Sequence, residues 1–308
     1  MKLHQVHYFV RVIELGGIKK AARDLGVVPS AVSKQLRLLE EELNTQLLKR
    51  MATGVEPTEA GKAFLAHSRL GLRHLDNAVE AARNARLSGV VSIGMASTTA
   101  SILTQPLVAE MQLRYPAIRL HLVENLAGNL TSMLHMRQLD LAVLYQMDIG
   151  AGWSVIPVLS EALFLVARQG MLPFPDGRCL SMKELVGIPL ALTSRSHGLR
   201  LLVEAAFRRM QIELVIGMEV DGLSTLMSIV RNNGYATIQP GAAVVATDTS
   251  EFSVHPLDDP YLKRTNMVTS ASDDELSPTA LATRIVLVDL MRKLVKEGKW
   301  PGATALDW

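Results

Sequence analysis

The pattern of apolar and polar positions in the N-terminal part of the chain predicts three helices. The first is followed by Gly16-Gly17, which ends it, and a short second helix is predicted over 18–25. The third begins after Val28-Pro29 and has its apolar residues at steps of four, three and four, which makes a single buried stripe. These stripes consist of Leu3, Val6, Phe9, Val10 and Ile13 in the first helix and Val32, Leu36, Leu39 and Leu43 in the third.

The opposite face of the third helix carries hydroxyls and cations, namely Ser30, Ser33, Lys34 and Arg37. Two short helices joined by a tight turn are typical of a helix-turn-helix, whose second helix presents polar side chains to base edges in the major groove. Serine, lysine and arginine side chains suit contacts with bases and phosphates. Periodicity alone favours this DNA-binding interpretation and that of an ordinary solvated surface helix about equally.

A small hairpin, or wing, is predicted after the third helix, because Thr53-Gly54 is a turn signal between apolar pairs. Lys49 and Arg50 at its start are candidates for phosphate contacts. A long helix then runs from Pro57-Thr58 to about Leu87. Its apolar seam is expected to lack partners within the N-terminal part of the chain, residues 1–87, which we call the head, and to pair with a second copy of the chain. The seam consists of Phe64, Leu72, Leu75, Ala78, Val79, Ala82 and Ala85.

Residues 1–87 resemble the DNA-binding region of LysR-type transcriptional regulators, a winged helix-turn-helix followed by a linker helix. The segments that carry the resemblance are YFVRVIELGGIKKAARDLGVVPSAVSKQLRLLEEEL, QLLKR and TGVEPTEAGKAFLAHSR. Val28-Pro29 replaces the family's usual Ser-Gln. Valine cannot cap the helix, a loss of about 0.5–2 kcal/mol, and the missing glutamine removes a common base contact. Thr53 stands where many members have arginine, which predicts weaker contact with the minor groove.

The remainder of the chain predicts an α/β architecture in two lobes with a ligand cleft between them. The first lobe alternates strand and helix, which favours a parallel sheet, and the second lobe echoes that order. The predicted strands are 90–97, 117–125, 139–145, 163–168, 188–193, 214–220, 235–240 and 266–271. The predicted helices run from about 98 to 114 and over 130–139, 198–210, 223–231 and 278–296.

This pattern is similar to the periplasmic-binding-protein-like effector domain of the same family, so the resemblance covers the whole chain. Its segments around SIGMA and LDLAVLY most resemble the nitrogen-assimilation-control branch. The resemblance implies homodimers through the linker helices, homotetramers through the effector lobes, and promoter DNA, a small-molecule effector and RNA polymerase as partners. The expected domains are 1–58 (winged helix-turn-helix), 59–88 (linker) and 89–308 (effector-binding), with lobe I at 89–161 and 269–308 and lobe II at 162–268.

Composition and charge agree with a DNA-binding head on a globular body. The 308 residues are 48% hydrophobic and 20% charged, enough to bury real cores. Residues 1–86 hold 14 Lys and Arg against 9 Asp and Glu, whereas the rest hold 18 against 21, so only the head is basic. A single cysteine, Cys179, excludes an internal disulfide. No signal peptide or membrane-spanning run is evident, and a cytoplasmic location is expected.

Candidate effector ligands lie where strands meet helices. Ser97, Thr98 and Thr99 combine hydroxyls with the N–H groups of a helix start, which can bind an anion; simple capping is the alternative. Thr193, Arg195 and His197 occupy the matching point of the second lobe and offer donors or positive charge to a carboxylate. The other candidates at strand ends and helix starts, each of which could also be an ordinary turn or cap residue, are Asn125, Tyr145, Ser224 and Gln239.

Enzyme and metal motifs are missing from the sequence. GVEPTEAGK has six residues between its glycines and alanine after its lysine, so it is not a phosphate-binding loop. No cofactor or metal is predicted, and the chain is not expected to be an enzyme. The leading hypothesis is a regulator whose promoter binding responds to a carboxylate metabolite. The alternatives are a stand-alone solute-binding or catalytic α/β protein and a regulator that needs no effector.

Overall fold

The computed structural model describes residues 1–51, 54–83, 87–145, 152–245 and 249–306, without the side chains of Arg50, Asn77, Glu80 and residues 81–83. Thr53 and Ala85, which the sequence analysis singled out, lie outside these ranges. The chain forms two compact units, one of Met1–Gly89 and His135–Gln138 and the other of Val90–Leu134 and Leu139–Trp308. No helix in the described ranges is long and apolar enough to cross a membrane.

The first unit contains the three helices, the hairpin and the long helix that the sequence predicts. Its apolar stripes meet in one core, in which Phe9, Val32 and Leu39 are fully buried. Leu3 and Leu43, at the outer ends of the predicted stripes, are exposed instead, because the core does not reach the helix ends. The elements are α1 (Leu3–Glu14), α2 (Ile18–Asp24), α3 (Pro29–Leu43), β1 (Leu48–Met51), β2 (Gly54–Pro57) and α4 (Glu59–Arg83). Strands β1 and β2 pair antiparallel, as a wing requires.

Two close contacts hold the wing to the helices. The Glu40 carboxylate at the end of α3 accepts hydrogen bonds from the backbone N–H groups of Leu47 (2.8 Å) and Leu48 (3.0 Å). At the start of α4, a Cβ on Gly61 would lie 2.0 Å from the Leu47 carbonyl oxygen, so only glycine allows this approach. The first turn of α4 therefore packs directly on the chain entering β1.

The expectation that the whole α4 seam lacks partners within the head is wrong for its N-terminal part. The Phe64 ring packs edge-on against Phe9, with 5.2 Å between ring centroids, and Leu72 packs on the same core. Further along, Leu75 is 46% exposed and Val79 is 48% exposed. The seam thus divides into a part buried in the head and a part that is open, because the head's own core reaches only as far as the first half of the helix.

The second unit is a mixed α/β structure. Its helices are α5 (Ser97–Arg114), α6 (Ala127–His135), α7 (Gly198–Arg209), α8 (Leu223–Asn232), α9 (Ala242–Val245) and α10 (Pro278–Lys296). Its strands are β3 (Gly89–Met95), β4 (Ile118–Glu124), β5 (Leu141–Tyr145), β6 (Trp153–Arg168), β7 (Leu190–Leu192), β8 (Ile216–Glu219), β9 (Thr237–Pro240), β10 (Phe252–Pro256), β11 (Lys263–Ala271) and β12 (Ala303–Ala305).

The main sheet is mixed rather than purely parallel, which corrects the expectation for the first lobe. Its order is β10-β6-β11-β5-β3-β4, with β9 and β12 also paired to β6. β3 and β5 are parallel, but β11 inserts antiparallel between β5 and β6 because the chain returns from the second lobe at this point. A separate parallel pair, β7 and β8, belongs to the second lobe.

One long strand contributes to the main hydrophobic core of each lobe of this unit. β6 is predicted only over 163–168, but it begins ten residues earlier, at Trp153. Val158 and Leu159 lie in the core of the first lobe, whereas Leu163 and Leu165 lie in that of the second. The polar residues and proline in its first half concealed the strand. The lobe boundaries proposed from sequence, after 161 and after 268, both fall inside continuous strands.

Candidate functional site

The polar face of α3 is accessible, opposite its buried stripe. Ser30, Lys34 and Arg37 are exposed and Ser33 is half-buried. The helix starts at Pro29, and the extended Val28 that precedes it offers no side-chain cap, in agreement with the sequence analysis. The first N–H groups of the helix therefore lack the acceptor that serine or aspartate would supply.

The basic residues predicted to contact DNA, on α3 and on β1, differ in whether an ion pair holds them. Arg37 forms an ion pair with Glu41, one turn further along α3, at 2.8 Å, and both side chains are more than half exposed. Such a surface pair contributes little to stability and can open to release the guanidinium. Lys49 is exposed on β1. Arg50 belongs to the same strand, but its side chain lies outside the described residues.

A pocket in the second unit brings seven of the ten predicted effector ligands together. These seven are Ser97, Thr98, Asn125, Tyr145, Thr193, His197 and Gln239. They reach it from strand ends and helix starts of both lobes, as the α/β pattern predicts. The remaining wall is largely aliphatic, with Asp221 and Arg264 as additional charged residues. Its other lining residues are Ala96, Leu126, Ala127, Gly198, Leu199, Leu223 and Leu226.

Three predicted ligands lie away from this pocket. Thr99 is fully buried, and its hydroxyl contacts the Tyr145 hydroxyl at 2.6 Å, so it positions that ring instead of facing the cavity. Arg195 donates through Nε to Glu204 at 3.0 Å and is largely exposed. Ser224 is exposed on α8, and its neighbour Leu223 lines the pocket instead. The sequence predicted the strand ends and helix starts at which these residues lie, but it did not show whether their side chains face the pocket.

The pocket's buried cation is Arg264 on β11, which sequence reasoning missed. Its Nε donates to the Glu161 carboxylate, its Nη2 donates to the Thr98 hydroxyl at 2.8 Å, and its guanidinium carbon lies 3.8 Å from the Tyr145 ring centroid. Glu161 is fully buried and also accepts from Asn266 Nδ2 (2.9 Å) and Trp300 Nε1 (2.8 Å). Three donors satisfy this buried carboxylate, which in turn orients the arginine at the pocket.

A second charged group, Asp221, lines the pocket from the other lobe. It accepts from the Ser194 N–H at 2.8 Å and from the Ser194 hydroxyl at 3.1 Å. The backbone hydrogen bond is the main reason why the pKa of Asp221 is lowered. Its Oδ1 lies 3.3 Å from His197 Nε2. Burial lowers the pKa of His197, and this outweighs the nearby carboxylate, which raises it.

The other polar lining residues are fixed by local contacts. Asn125 Oδ1 accepts from the Leu126 N–H and from Asn129 Nδ2, both at 2.8 Å, and so is held against the start of α6. Gln239 is 1% exposed and donates to the Thr237 hydroxyl at 3.3 Å. The Thr193 carbonyl accepts from Arg200 Nη1 at 2.9 Å, which ties the loop before α7 to that helix. The pocket is therefore preorganised on both of its sides.

Two family descriptions match the chain and together cover most of it. Residues 3–62 match the "Bacterial regulatory helix-turn-helix protein, lysR family", and residues 84–292 match the "LysR substrate binding domain". The chain therefore belongs to the LysR family of bacterial transcriptional regulators. It is a DNA-binding regulator with a helix-turn-helix and an effector-binding domain, and the predicted fold class is confirmed.

Similar proteins agree with this assignment. The chain is 32% identical to the nitrogen assimilation regulatory protein nac of Escherichia coli (strain K12), covering 96% of this chain and 97% of that protein. The corresponding protein of Klebsiella aerogenes is 31% identical over 95% and 96%. The resemblance to the nitrogen-assimilation branch is thus confirmed.

Solved structures share the fold along nearly the whole chain. A full-length OxyR variant from Pseudomonas aeruginosa matches with a TM-score of 0.76 at 20% identity, over 95% of each chain. Full-length CbnR complexed with its target DNA matches with a TM-score of 0.65 at 22% identity, over 94% of this chain and 99% of that one.

Proposed function

We propose that α3 is the recognition helix of this regulator. Ser30, Ser33, Lys34 and Arg37 meet the major groove, and Lys49 and Arg50 of the wing contact phosphates. The observation that supports this is the two-sided helix, whose exposed hydroxyls and cations lie opposite the buried Val32, Leu36 and Leu39. Hydroxyls and bidentate arginine can read base edges, whereas lysine adds phosphate attraction that weakens with salt.

Assembly and signalling follow the family arrangement in this proposal. The linker, 59–88, forms a homodimer, and the effector-binding domain, 89–308, pairs dimers into a homotetramer. An effector that binds one arrangement of the tetramer more tightly than another shifts the population between them. The altered spacing of the winged helix-turn-helix domains, 1–58, then changes contact with promoter DNA and RNA polymerase.

The proposed effector is a small carboxylate in the pocket lined by Ser97, Thr98 and Arg264. The start of α5 offers N–H groups that have no intrahelical acceptor, and the helix dipole favours negative charge there. Arg264 adds a buried guanidinium to the same wall. A carboxylate accepts from both kinds of donor at once, which is the arrangement that gives strong hydrogen bonds.

The DNA-binding part is tested by Arg37→Ala on a promoter fragment selected with the purified protein. Specific affinity should fall by about 1–3 kcal/mol, roughly 5- to 150-fold, with the fold intact. Arg114→Ala is the matched control, because it removes an ion pair of the same helical spacing, with Glu110, in the other unit. Unchanged affinity of the Arg37 variant in a gel-shift titration would show that α3 is not the recognition helix.

The effector part is tested by calorimetry of the full chain with a panel of small organic acids. At least one acid should bind the parent protein. Ser97→Ala should weaken the binding free energy of that acid by about 1 kcal/mol, because the hydroxyl contact is lost. Ser132→Ala, on the exposed part of α6, is the control and should bind as the parent does. If no acid binds a protein that still recognises its promoter, the regulator needs no such effector and this part of the proposal fails.

A further inference from the structure

We propose that the ligand of this pocket is a zwitterion that carries an ammonium group as well as a carboxylate, of the α-amino acid class. This rests on the proposed effector site and makes its ligand more specific. The observation behind it is that one pocket wall presents the Arg264 guanidinium while another presents the Asp221 carboxylate. The two poles of an amino acid match these two groups in charge.

The carboxylate pole belongs beside α5 and Arg264. Two of the three guanidinium nitrogens are occupied, Nε by Glu161 and Nη2 by the Thr98 hydroxyl. Nη1 has no acceptor within the described part of the chain, although the residue lines the pocket. A carboxylate here accepts from Nη1 and from the N–H groups at the start of the helix, so the negative pole of the ligand has a definite place.

The ammonium pole belongs beside Asp221. Both hydrogen bonds from Ser194 hold this carboxylate in position, and they lower its pKa, so it is charged at neutral pH. His197 does not cancel that charge, because burial lowers the histidine's pKa and keeps it largely neutral. The arginines on the adjacent loop and helix are occupied elsewhere: Arg195 pairs with Glu204, and Arg200 pairs with Glu204 and Glu219.

The charge balance of the pocket favours a zwitterion over a simple anion. Arg264 is neutralised by the buried Glu161, which leaves Asp221 as an extra negative charge among the described lining residues and their ion-pair partners. Asp221 is about half exposed (51%), and a simple carboxylate ligand would bring a second negative charge into the same pocket, at an electrostatic cost. An amino acid adds no net charge and pairs its ammonium with Asp221. The aliphatic wall, with Leu126, Leu199 and Leu226, can then pack its side chain.

The test compares ligands that differ only at the two poles. Calorimetry on the full chain would use the natural L-amino acids, then the 2-hydroxy acid and the primary amine with the carbon skeleton of each one that binds. For valine, the matched compounds are 2-hydroxy-3-methylbutanoate and isobutylamine, the amine that remains when hydrogen replaces the carboxylate. The amino acid should bind roughly tenfold or more tightly than its hydroxy acid, and the amine should bind weakly or not at all.

A protein variant supplies the second readout. Asp221→Asn keeps an acceptor for Ser194 but removes the charge, so the preference for amino acid over hydroxy acid should disappear while hydroxy acid binding is retained or improved. Glu213→Gln removes an exposed acid outside the pocket and should preserve the parent's preference. Thermal unfolding of both variants would verify that the fold persists.

The outcomes separate this inference from the proposed function. Hydroxy acids that bind the parent as tightly as amino acids would overturn the zwitterion and leave a carboxylate effector standing. An amino acid preference that survives Asp221→Asn would overturn the role of Asp221, and with it the inference. Binding of the amines alone, or of none of the compounds by a protein that still binds its promoter, would overturn both.

Discussion

Val28 shows how one residue affects the stability of the first turn of a helix. It occupies the position before α3 with extended backbone angles, as a capping residue would, and its side chain is 62% exposed. Pro29 follows at the first helical position, where a missing N–H has no cost. The geometry of a capped helix is therefore present, and only the side-chain acceptor is absent.

Replacing Val28 with serine should stabilise the first unit. The hydroxyl can accept from a backbone N–H of the first turn, which should raise the free energy of unfolding by about 0.5–2 kcal/mol. Val28→Ala, which removes the same apolar surface but adds no acceptor, is the control. Urea unfolding monitored by circular dichroism would measure both, and equal stability of the serine and alanine variants would contradict the capping argument.

At the scale of elements, the two halves of α4 lie in different environments. Its N-terminal half completes the core of the head through Phe64, Leu65 and Leu72. Further along, Leu75 and Val79 form an open apolar stripe at i, i+4 spacing. Long helices that carry such a stripe commonly bury it against another helix, and a copy of the same helix satisfies this requirement symmetrically.

A charge at Leu75 should therefore break the proposed dimer. Leu75→Glu would place an unpaired carboxylate in the helix–helix interface, which costs on the order of several kcal/mol. It should halve the mass of the assembly measured by light scattering, because contacts between effector-binding domains would remain. Asp76→Lys alters charge on the same turn but outside the stripe, and it should leave the mass unchanged. A Leu75 variant with the parent's mass and full DNA affinity would refute this interface.

At the scale of the molecule, the two units have separate hydrophobic cores. One core gathers residues of α1 to α4 and the wing, and the cores of the second unit draw on β3 and the elements after it. Every residue that lines the ligand pocket also belongs to the second unit. Folding of that unit and formation of its pocket are therefore expected to be independent of the head.

A fragment of residues 90–308 should fold and bind the ligand of the full chain with similar affinity, but it should not bind promoter DNA. Cooperative thermal unfolding would establish that it is folded, calorimetry would compare ligand affinity, and a gel shift would test DNA. The full chain at equal concentration is the control for each measurement. A folded fragment that has lost the ligand would show that the head contributes to the pocket.

The sequence by itself determined the elements whose pattern is local. The stripe Val32, Leu36 and Leu39 predicted α3, and the helix predicted over 278–296 is observed as Pro278–Lys296. Seven of ten predicted ligands line one pocket, because the strand ends and helix starts of both lobes face the same cleft. Helical and strand periodicity report which face of an element is buried, and that information is carried by neighbouring residues.

Tertiary structure alone decided which charges meet. Glu161 and Arg264 are 103 residues apart, yet their pairing between β6 and β11 sets the charge of the pocket wall. Arg195 was the arginine that sequence reasoning expected in the pocket, and Glu204 on α7 holds it elsewhere. Asp221 was not singled out, because it is held at the pocket by hydrogen bonds from Ser194, a residue 27 positions away in sequence. Side-chain pairing depends on contacts between distant segments, and periodicity carries no record of them.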